Sequence, residues 1–321
     1  MQAVTDERPA TIRVLNLVPS ERSRFFRQQR ATLANLGVEE TTMAVPGHHG
    51  YDDGSTESRS VTDYARFLPQ VVRQSFGEYD LVHANYGLTA PHALAQLRLP
   101  VVLSLWGTDL MGQYGWLTKA CARHADAVIV MSERMAEELD QPCYVIPHGV
   151  DLDVFKPMPT DEARAELGWA EGVHHVLFPY PPGRGVKDYP RAQRVVDRVR
   201  DLIDGPVELH TVTGEPHERM PLYYNAADVL LLTSQREGSP NAVKEALACN
   251  LPVVSTDVGD VPERLAGVSL SRVATTDDDL VDGVATALEA GERSDGRAAA
   301  ERVGAEATGR RYREVYEEVL R

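Results

Sequence analysis

Two glutamates that stand eight residues apart, Glu237 and Glu245, are the acids of this sequence best placed to do chemistry. They lie in the stretch SQREGSPNAVKEALACN, directly after the apolar run DVLLLTS. That run predicts a strand, and NAVKEALAC predicts a helix that begins beyond the first glutamate. Ser239 is predicted as the N-cap of this helix and Pro240 as its first residue. Both carboxylates are therefore expected beside the N-terminus of a helix.

A helix N-terminus favours anions, because its first backbone N–H groups lack partners within the helix and the helix dipole is positive there. The residues predicted to form this anion site are Gly238, Ser239, Asn241 and Ala242. Phosphate suits it. The two carboxylates would flank the phosphate, and their oxygens match the hydroxyl pairs of sugars. This pattern fits a nucleotide diphosphate sugar, with a ribose at one acid and a hexose at the other.

Cations for a diphosphate are supplied by a second loop. The segment FPYPPGRGVKDYP follows another apolar run and carries Arg184 and Lys187. Arginine can bind two phosphate oxygens at once, whereas lysine acts as a point charge. Gly183 and Gly185 let the backbone approach a ligand closely. The chain has only four lysines, so one of them in this loop strengthens the prediction.

Composition excludes other classes of function. The formal net charge of −15 argues against nucleic acid as a partner, because that binding needs Lys and Arg to neutralise phosphates. No apolar run approaches the roughly 18 residues that span a bilayer. The first ten residues, MQAVTDERPA, are polar and lack the apolar centre of a signal peptide. We therefore expect a cytoplasmic protein.

The order of apolar runs predicts an α/β protein with two doubly wound, Rossmann-like domains. Short apolar runs alternate with helical segments up to DAVIVMS, and a second series starts near residue 173. The segment IPHGVDLDVFKPMPT, residues 146–160, reads as a linker. We expect domains over 1–150 and 151–321, with the last helix packing back on the first domain. Ligands bind at strand carboxyl ends in such sheets, so the two domains are expected to face each other across a ligand cleft.

These motifs resemble the retaining glycosyltransferases of family four, which have the GT-B fold. The resemblance rests on EGSPNAVKEALACNLPVVSTDVGDVPE, VHANYG, WGTDL, IPHGVDLDVFKP, the Arg184/Lys187 loop and YYNAADVLLLTS, and covers nearly the whole chain. It implies that Glu237 contacts the transferred sugar and Glu245 the ribose. It also implies that Arg184 and Lys187 hold the diphosphate, and that no metal is needed.

The chain departs from the family pattern in its first half. Many members have a Gly-Gly pair after the first strand, whereas this loop reads VPSERSRFFRQQ. Ser20, Ser23 and Arg24 are therefore candidates for contact with donor or acceptor. Many members also have a histidine where this chain has Trp106, so no catalytic histidine is assigned there. Trp106 is grouped with the acceptor side.

Two further residues of the first half have alternative interpretations. Asp109 follows a strand and a glycine, so it is either a catalytic residue or the cap of the next helix. His83 ends the strand YDLVHA and either lines the acceptor side or is a structural histidine.

No metal site and no cofactor are predicted. Asp151 and Asp153 form a D-x-D, but this pair lies in the linker and away from other ligands. The adjacent pairs His48–His49 and His174–His175 fall in a glycine-rich loop and at a strand start, and neither pair has further metal ligands near it in sequence. Loop and strand-edge roles are preferred for both pairs.

The function predicted is retaining transfer of a hexose from a nucleotide diphosphate sugar to an acceptor hydroxyl. The alternatives are a sugar-nucleotide 2-epimerase with the same architecture and a non-catalytic nucleotide-sugar-binding scaffold. The family mostly acts on glycans, glycolipids and lipid-linked saccharides, which implies such an acceptor. The segment ERSRFFRQQR, residues 21–30, has four arginines and two phenylalanines. It is either a peripheral contact with the cytosolic membrane face or an ordinary amphipathic helix.

Overall fold

The structure, a computed structural model, describes residues 11–47 and 59–321 of the chain. The polar residues 1–10 and the pair His48–His49 lie outside these ranges. The chain divides into two compact units. Unit 1 holds the chain up to Pro147 together with Thr308–Arg321, and unit 2 holds His148–Ala307.

Unit 1 is built on a parallel sheet whose strand order is β2-β1-β3-β4-β5-β6. Its strands are β1 Ile12–Val18, β2 Val38–Ala44, β3 Leu81–Asn85, β4 Val101–Ser104, β5 Ala127–Val130 and β6 Tyr144–Val145. Its helices are α1 Arg24–Asn35, α2 Val61–Gln74, α3 Ala90–Ala95, α4 Thr108–Met111, α5 Gly115–Ala122 and α6 Glu133–Leu139, and most of α14 Ala305–Val319 belongs to it. The central strands β3, β4 and β5 are buried along their whole length, as strands covered on both faces must be.

Unit 2 repeats this plan with the strand order β11-β10-β9-β7-β8, again all parallel. Its strands are β7 His174–Phe178, β8 Val207–Thr211, β9 Val229–Leu232, β10 Val253–Thr256 and β11 Arg272–Ala274. Its helices are α7 Thr160–Leu167, α8 Tyr189–Arg200, α9 Met220–Ala226, α10 Asn241–Ala248, α11 Val261–Leu265, α12 Asp277–Ala290 and α13 Arg297–Glu301. Short 3-10 helices cover Gly87–Thr89, Gly185–Lys187 and His217–Arg219.

Both sheets have the same switch in strand order. In unit 1 the first strand, β1, lies between β2 and β3, and in unit 2 the first strand, β7, lies between β8 and β9. The chain leaves the first strand to one side and later returns to its other side. The crevice at the carboxyl ends of β1 and β3, and of β7 and β9, is where sheets of this class bind ligands. The loop after β9 holds Glu237, and the loop after β7 holds Lys187.

The predicted linker is an integral part of unit 2. Phe155 is buried against His217 and Tyr224, with ring centroids 5.0 and 5.9 Å away. Val150 is paired with Gly304, and the guanidinium of Arg297 donates to the backbone carbonyls of Leu152 and Phe155. Proline, glycine and aspartate give this segment the composition of a linker, but its turns are bonded to unit 2 and anchored by the buried Phe155.

Candidate functional site

The loops after β7 and β9 are held together by hydrogen bonds to the backbone carbonyls of the first loop. The hydroxyl of Thr233 donates to the carbonyls of Lys187 and Asp188 at 3.0 and 2.9 Å. The N–H of Gln235 donates to the carbonyl of Val186 at 2.9 Å. Because Lys187 and Glu237 belong to these two loops, the contacts bring together residues that are 50 positions apart in sequence.

Lys187 and Glu237 form a direct ion pair between Nζ and Oε1. The hydroxyl of Ser234 donates to the same Oε1 at 2.7 Å. The side chains are only 6% and 15% exposed, so the pair is nearly withdrawn from water. Burial lowers the pKa of Lys187, and the carboxylate of Glu237 opposes that shift. Glu237 Oε2 has no hydrogen-bond partner among the described residues, so one oxygen is anchored and the other is available to a ligand.

Arg184 differs from Lys187 in its exposure. It lies on the surface of the loop, with its guanidinium carbon 5.8 Å from the ring centroid of Tyr180. A Cβ added to Gly183 or Gly185 would meet no atom within 4 Å, so the space beside this loop is open. Lys187 Nζ lies 3.8 Å from the centroid of the same Tyr180 ring, a cation–π contact. Tyr180 therefore lies between a buried and an exposed cation.

Glu245, on α10, is held by one oxygen as Glu237 is. Tyr224 donates its hydroxyl to Glu245 Oε2 at 2.7 Å. His217 Nε2 is 3.8 Å from Glu245 Oε1, and the Glu245 side chain is 14% exposed. Burial and the charges of Glu237 and Glu245 raise the pKa of Tyr180 well above its ordinary value. Tyr180 is thus close to both carboxylates, and the predicted acids and cations share one site.

Sequence reasoning missed Tyr180 and Tyr224. Tyr180 lies two residues after the end of β7 and four residues before Arg184, a position that the predicted strand end could have indicated. Tyr224 is inside α9 and reaches Glu245 only through the packing of α9 against α10, which no local pattern encodes.

The start of α10 differs from the prediction. The helix begins at Asn241, its N-cap is Pro240, and no side chain caps it. Ser239 is therefore not the cap: its hydroxyl donates to Asp260 Oδ2 at 2.9 Å and accepts from Lys244 Nζ at 3.0 Å. Lys244 is fully buried, and burial lowers its pKa to about 8. A buried ammonium group needs acceptors, and it takes Ser239 together with the carbonyl of His148 at 2.7 Å.

The turn before α10 is shaped by a close backbone approach. A Cβ on Gly259 would lie 2.4 Å from the carbonyl oxygen of Gly238, and Gly259 has a φ of +55°. Gly238 and Ala242 are buried behind this contact. Asn241 Oδ1 is buried and has no hydrogen-bond partner within the described part of the chain. The predicted anion site thus has a rigid turn, and the unpartnered amide oxygen beside it can accept from a hydroxyl but not bind a phosphate.

Asp109 is engaged within unit 1, which favours the structural one of its two predicted roles over the catalytic one. It is 2% exposed, and its carboxylate accepts from the backbone N–H groups of Gly87, Trp106, Gly107 and Leu110 at 2.8–3.1 Å. Burial raises the pKa of Asp109, and the backbone donors oppose that shift. Both oxygens are used to hold the loop after β4 against the turn after β3.

His83 is also structural, so its acceptor-side assignment is corrected. It is fully buried, with Nδ1 2.7 Å from the hydroxyl of Tyr316 and Nε2 2.7 Å from the hydroxyl of Ser104. Burial lowers its pKa to about 3. The neutral ring joins β3, β4 and α14 within unit 1 and has no nitrogen left for a substrate.

The other first-half candidates lie at the carboxyl edge of the sheet of unit 1. Trp106 is half-buried and packs edge-to-face on Phe25, with ring centroids 4.6 Å apart, and 5.7 Å from the ring of Tyr86. Ser23 is the residue before α1, and Arg24, its first residue, is exposed. Trp106 therefore belongs to an aromatic group with Phe25 and Tyr86, and Ser23 and Arg24 precede Phe25 in sequence.

The helix α1 favours the ordinary amphipathic interpretation of residues 21–30. Phe26 is fully buried, and Phe25 is half-buried against Trp106, so neither phenylalanine is presented to a lipid surface. Among the described residues, no helix is both long enough and apolar enough to cross a membrane.

The D-x-D motif makes a turn. Asp151 Oδ1 accepts from the backbone N–H groups of Asp153 and Val154 at 3.0 and 3.1 Å. Neither aspartate belongs to a group of three metal-ligating side chains in the described ranges.

Comparison with known proteins agrees with this geometry. Residues 40–154 match the model of glycosyltransferase family 4, and residues 185–290 match that of the glycosyl transferases group 1. The fold is that of the GT-B proteins, with two Rossmann-like units, as the sequence predicted. The chain belongs to the group 1, family 4 glycosyltransferases.

Three similar proteins illustrate the match. The lipopolysaccharide core biosynthesis mannosyltransferase LpsB of Rhizobium meliloti is 31% identical over 185 residues, 48% of this chain and 52% of that protein. The chain spans about half the length of the curated relatives it matches. Sucrose-phosphate synthase from Thermosynechococcus elongatus has a TM-score of 0.73 at 18% identity, over 96% of this chain and 99% of that one. Anabaena HepE, solved with UDP and glucose, has a TM-score of 0.67 at 17% identity, over 95% of this chain and 99% of that one.

Proposed function

We propose that this chain is a retaining glycosyltransferase that moves a hexose from a nucleotide diphosphate sugar to an acceptor hydroxyl. The observation that carries the proposal is the arrangement at the switch point of unit 2. A buried lysine, an exposed arginine and two carboxylates, each anchored through one oxygen, meet around Tyr180. Opposite charges in one site suit a ligand that has both phosphates and hydroxyls.

In this proposal the cations bind the diphosphate. Arg184 is exposed on the loop surface, whereas Lys187 is buried and held in place by Tyr180 and Glu237. A fixed ammonium group next to the leaving phosphate stabilises the charge that develops during transfer, and it needs no reorganisation to do so. Backbone N–H groups at the start of α10 add to this stabilisation.

The carboxylates orient the two sugars. Glu237 is held by Lys187 and Ser234 through Oε1, which leaves Oε2 to accept from a hydroxyl of the transferred hexose. Glu245 is held by Tyr224 through Oε2, which leaves Oε1 for the ribose. This refines the sequence prediction, because each acid then has one principal oxygen, and not two, for its sugar. Fixed carboxylates position the anomeric carbon for attack by the acceptor.

The proposed chemistry uses no metal and no cofactor, since Lys187 and Arg184 supply the positive charge. Turnover measured in excess EDTA should equal turnover measured without it. Loss of turnover with EDTA and its recovery with Mn²⁺ or Mg²⁺ would contradict this part of the proposal.

The first substrates to test follow from the similar proteins. HepE was solved with UDP and with UDP-glucose, so UDP-glucose is the first donor. LpsB is named a lipopolysaccharide core mannosyltransferase, so a mannose donor and a lipid-linked saccharide acceptor come next. A lipid-linked acceptor would bring the protein to a membrane surface without a membrane-spanning helix.

The experiment has two steps. A thermal-shift screen of nucleotide sugars identifies the donor, and incubation of that donor with glycan and lipid-linked acceptors is followed by mass spectrometry and NMR. We expect a glycosylated product whose anomeric configuration equals that of the donor. An inverted configuration would remove the retaining mechanism, an epimerised donor would indicate the 2-epimerase, and donor binding without either product would indicate a scaffold.

A further inference from the structure

Three potential metal ligands lie on one face of the sheet of unit 2, at its β8 edge. His175 on β7 is opposite Glu208 on β8 in the strand register, and His210 is two residues beyond Glu208. Side chains two residues apart on a strand point to the same face, so all three converge. The strand-edge role predicted for His174–His175 is therefore incomplete, because His175 has partners that only the pairing of β7 with β8 brings near.

The separations between the possible ligand atoms suit a metal ion. His175 Nδ1 is 2.8 Å from His210 Nε2, which is 3.5 Å from Glu208 Oε2, and all three atoms lie within 4.8 Å of one another. Zinc bonds to nitrogen and oxygen are about 2.0–2.2 Å, which places neighbouring ligands of a tetrahedron about 3.3 Å apart. We propose that His175, Glu208 and His210 form a binding site for a divalent transition-metal ion of the zinc class, with a fourth position open to water.

The tautomer of His175 supports this proposal. His175 Nε2 is 3.0 Å from the carbonyl oxygen of Ala170, which can only accept, so Nε2 carries the proton. Nδ1 then directs its lone pair toward His210. A backbone carbonyl that accepts from the second nitrogen is the partner that metal-ligating histidines usually have. His210 becomes a ligand through Nε2 when its proton is on Nδ1, so binding requires no change in the charge of either ring.

The surroundings define an open side and a closed side. Trp169 stacks on His210 with ring centroids 3.7 Å apart and an interplanar angle of 14°, and it also contacts His175 at 4.7 Å. His175 is fully buried, whereas the side chain of Glu208 is 55% exposed on the edge strand β8. A metal ion would enter from the Glu208 side. The nearby cation Arg164 is paired with Asp228 at 2.7 Å, which offsets its repulsion of a metal ion.

The site is separate from the one proposed for the nucleotide sugar. His175 is the second residue of β7, and Glu208 and His210 belong to the edge strand β8, whereas Lys187 and Glu237 are in the loops after β7 and β9. A bound ion would join β8 to β7 through its ligands. Trp169 would be held indirectly, through its stacking on His210. Its expected effect is therefore on the stability of unit 2 and not on transfer.

The test uses CoCl₂ and ZnCl₂ with the full chain after removal of metals by a chelator. We expect one cobalt ion per chain, with visible absorption bands of a four-coordinate site, quenching of Trp169 fluorescence and displacement by zinc. Glu208→Gln and His210→Asn should each weaken binding at least tenfold. His174→Gln is the matched control, because it removes the neighbouring histidine on the opposite face of the strand, and it should bind cobalt like the wild type.

Glu208→Gln keeps the test decisive even where His210→Asn fails to fold, because the Glu208 side chain is mostly exposed. Trp169→Phe identifies the fluorescence of Trp169 among the three tryptophans. Absence of the cobalt bands in the wild type, or equal affinity in Glu208→Gln, His210→Asn and His174→Gln, would overturn the proposal. Donor binding is measured in parallel and should be unchanged in these variants, so the two proposals can fail separately.

Discussion

The two units have the same strand order around their first strand, yet the polar residues that were candidates for function differ between them. In unit 1, Asp109 and His83 are buried, and the hydrogen-bonding atoms of both side chains are engaged within the unit. In unit 2, Glu237 and Glu245 each have one anchored oxygen and a second oxygen that no described residue holds by a hydrogen bond. A position at a strand end is therefore a weaker sign of function than unused hydrogen-bonding capacity.

Asp109 shows what the polar residues of unit 1 do instead. Its carboxylate accepts from the N–H groups of Trp106, a member of the aromatic group, and of Gly87, which follows Tyr86. Tyr86, beside Gly87, has a φ of +110°, a conformation that costs free energy in a residue with a side chain. Asp109 is thus a positioning residue for a strained turn and for Trp106.

The largest effect that this comparison predicts is on stability. Asp109→Ala leaves four backbone N–H groups without their acceptor in a buried loop, and each such loss costs about 1 kcal/mol or more. The free energy of unfolding should fall by about 4 kcal/mol, measured by urea denaturation. Glu237→Gln, the matched variant from unit 2, keeps an acceptor oxygen for Lys187 and should change the free energy of unfolding less. Equal stabilities of the two variants would show that the contrast between the units is wrong.

The next effect is on catalysis. Glu237→Ala removes the carboxylate proposed to orient the transferred sugar, so kcat should fall by about 100-fold, the size expected for lost positioning. Affinity for the free nucleotide diphosphate should stay the same or rise, because Lys187 loses its competing partner. Turnover and calorimetry measure the two quantities. The control is Glu263→Ala, an exposed carboxylate at the start of α11, which should leave both unchanged. A loss of nucleotide affinity without a loss of kcat would reverse the roles of the two glutamates.

The sequence was sufficient to predict most strands and the identity of the candidate acids and cations. The run DVLLLTS became β9, and the apolar run before the loop with Arg184 and Lys187 became β7. The edge strands β6 and β11, of two and three residues, were missed because such short runs carry no periodicity. The partners Tyr224 and Ser234, and the buried state of Lys187, depend on packing between elements, which a single sequence does not state.

The next prediction compares the two cations of unit 2, Lys187 and Arg184. Lys187→Ala and Arg184→Ala should each weaken binding of the nucleotide diphosphate about tenfold, because a hydrogen bond to a charged group contributes roughly 1.5–3 kcal/mol. Binding of the nucleoside alone should not change. Lys187→Ala should also lower kcat, because Glu237 then keeps only Ser234 as its anchor. Lys156→Ala, an exposed lysine in the same unit, is the control for loss of charge. Unchanged diphosphate affinity in both variants would remove this loop from the site.

The smallest predicted effect compares Glu245 with Tyr224, the residue that anchors its carboxylate. Glu245 is proposed to bind the ribose alike in the ground and transition states, so Glu245→Ala should raise the donor KM with little change in kcat. A hydrogen bond contributes about 1 kcal/mol, so the expected rise in KM is about fivefold. Tyr224→Phe leaves the carboxylate in place and removes only the 2.7 Å bond that orients it, so its KM should rise by less. Tyr223→Phe, the neighbouring tyrosine on α9, is the matched control and should behave like the wild type.

Calorimetry with the nucleotide diphosphate should give the same order of affinities, with wild type tightest and Glu245→Ala weakest. If Tyr224→Phe weakens binding more than Glu245→Ala, the tyrosine itself contacts the ligand, and the anchored-oxygen interpretation of Glu245 is wrong.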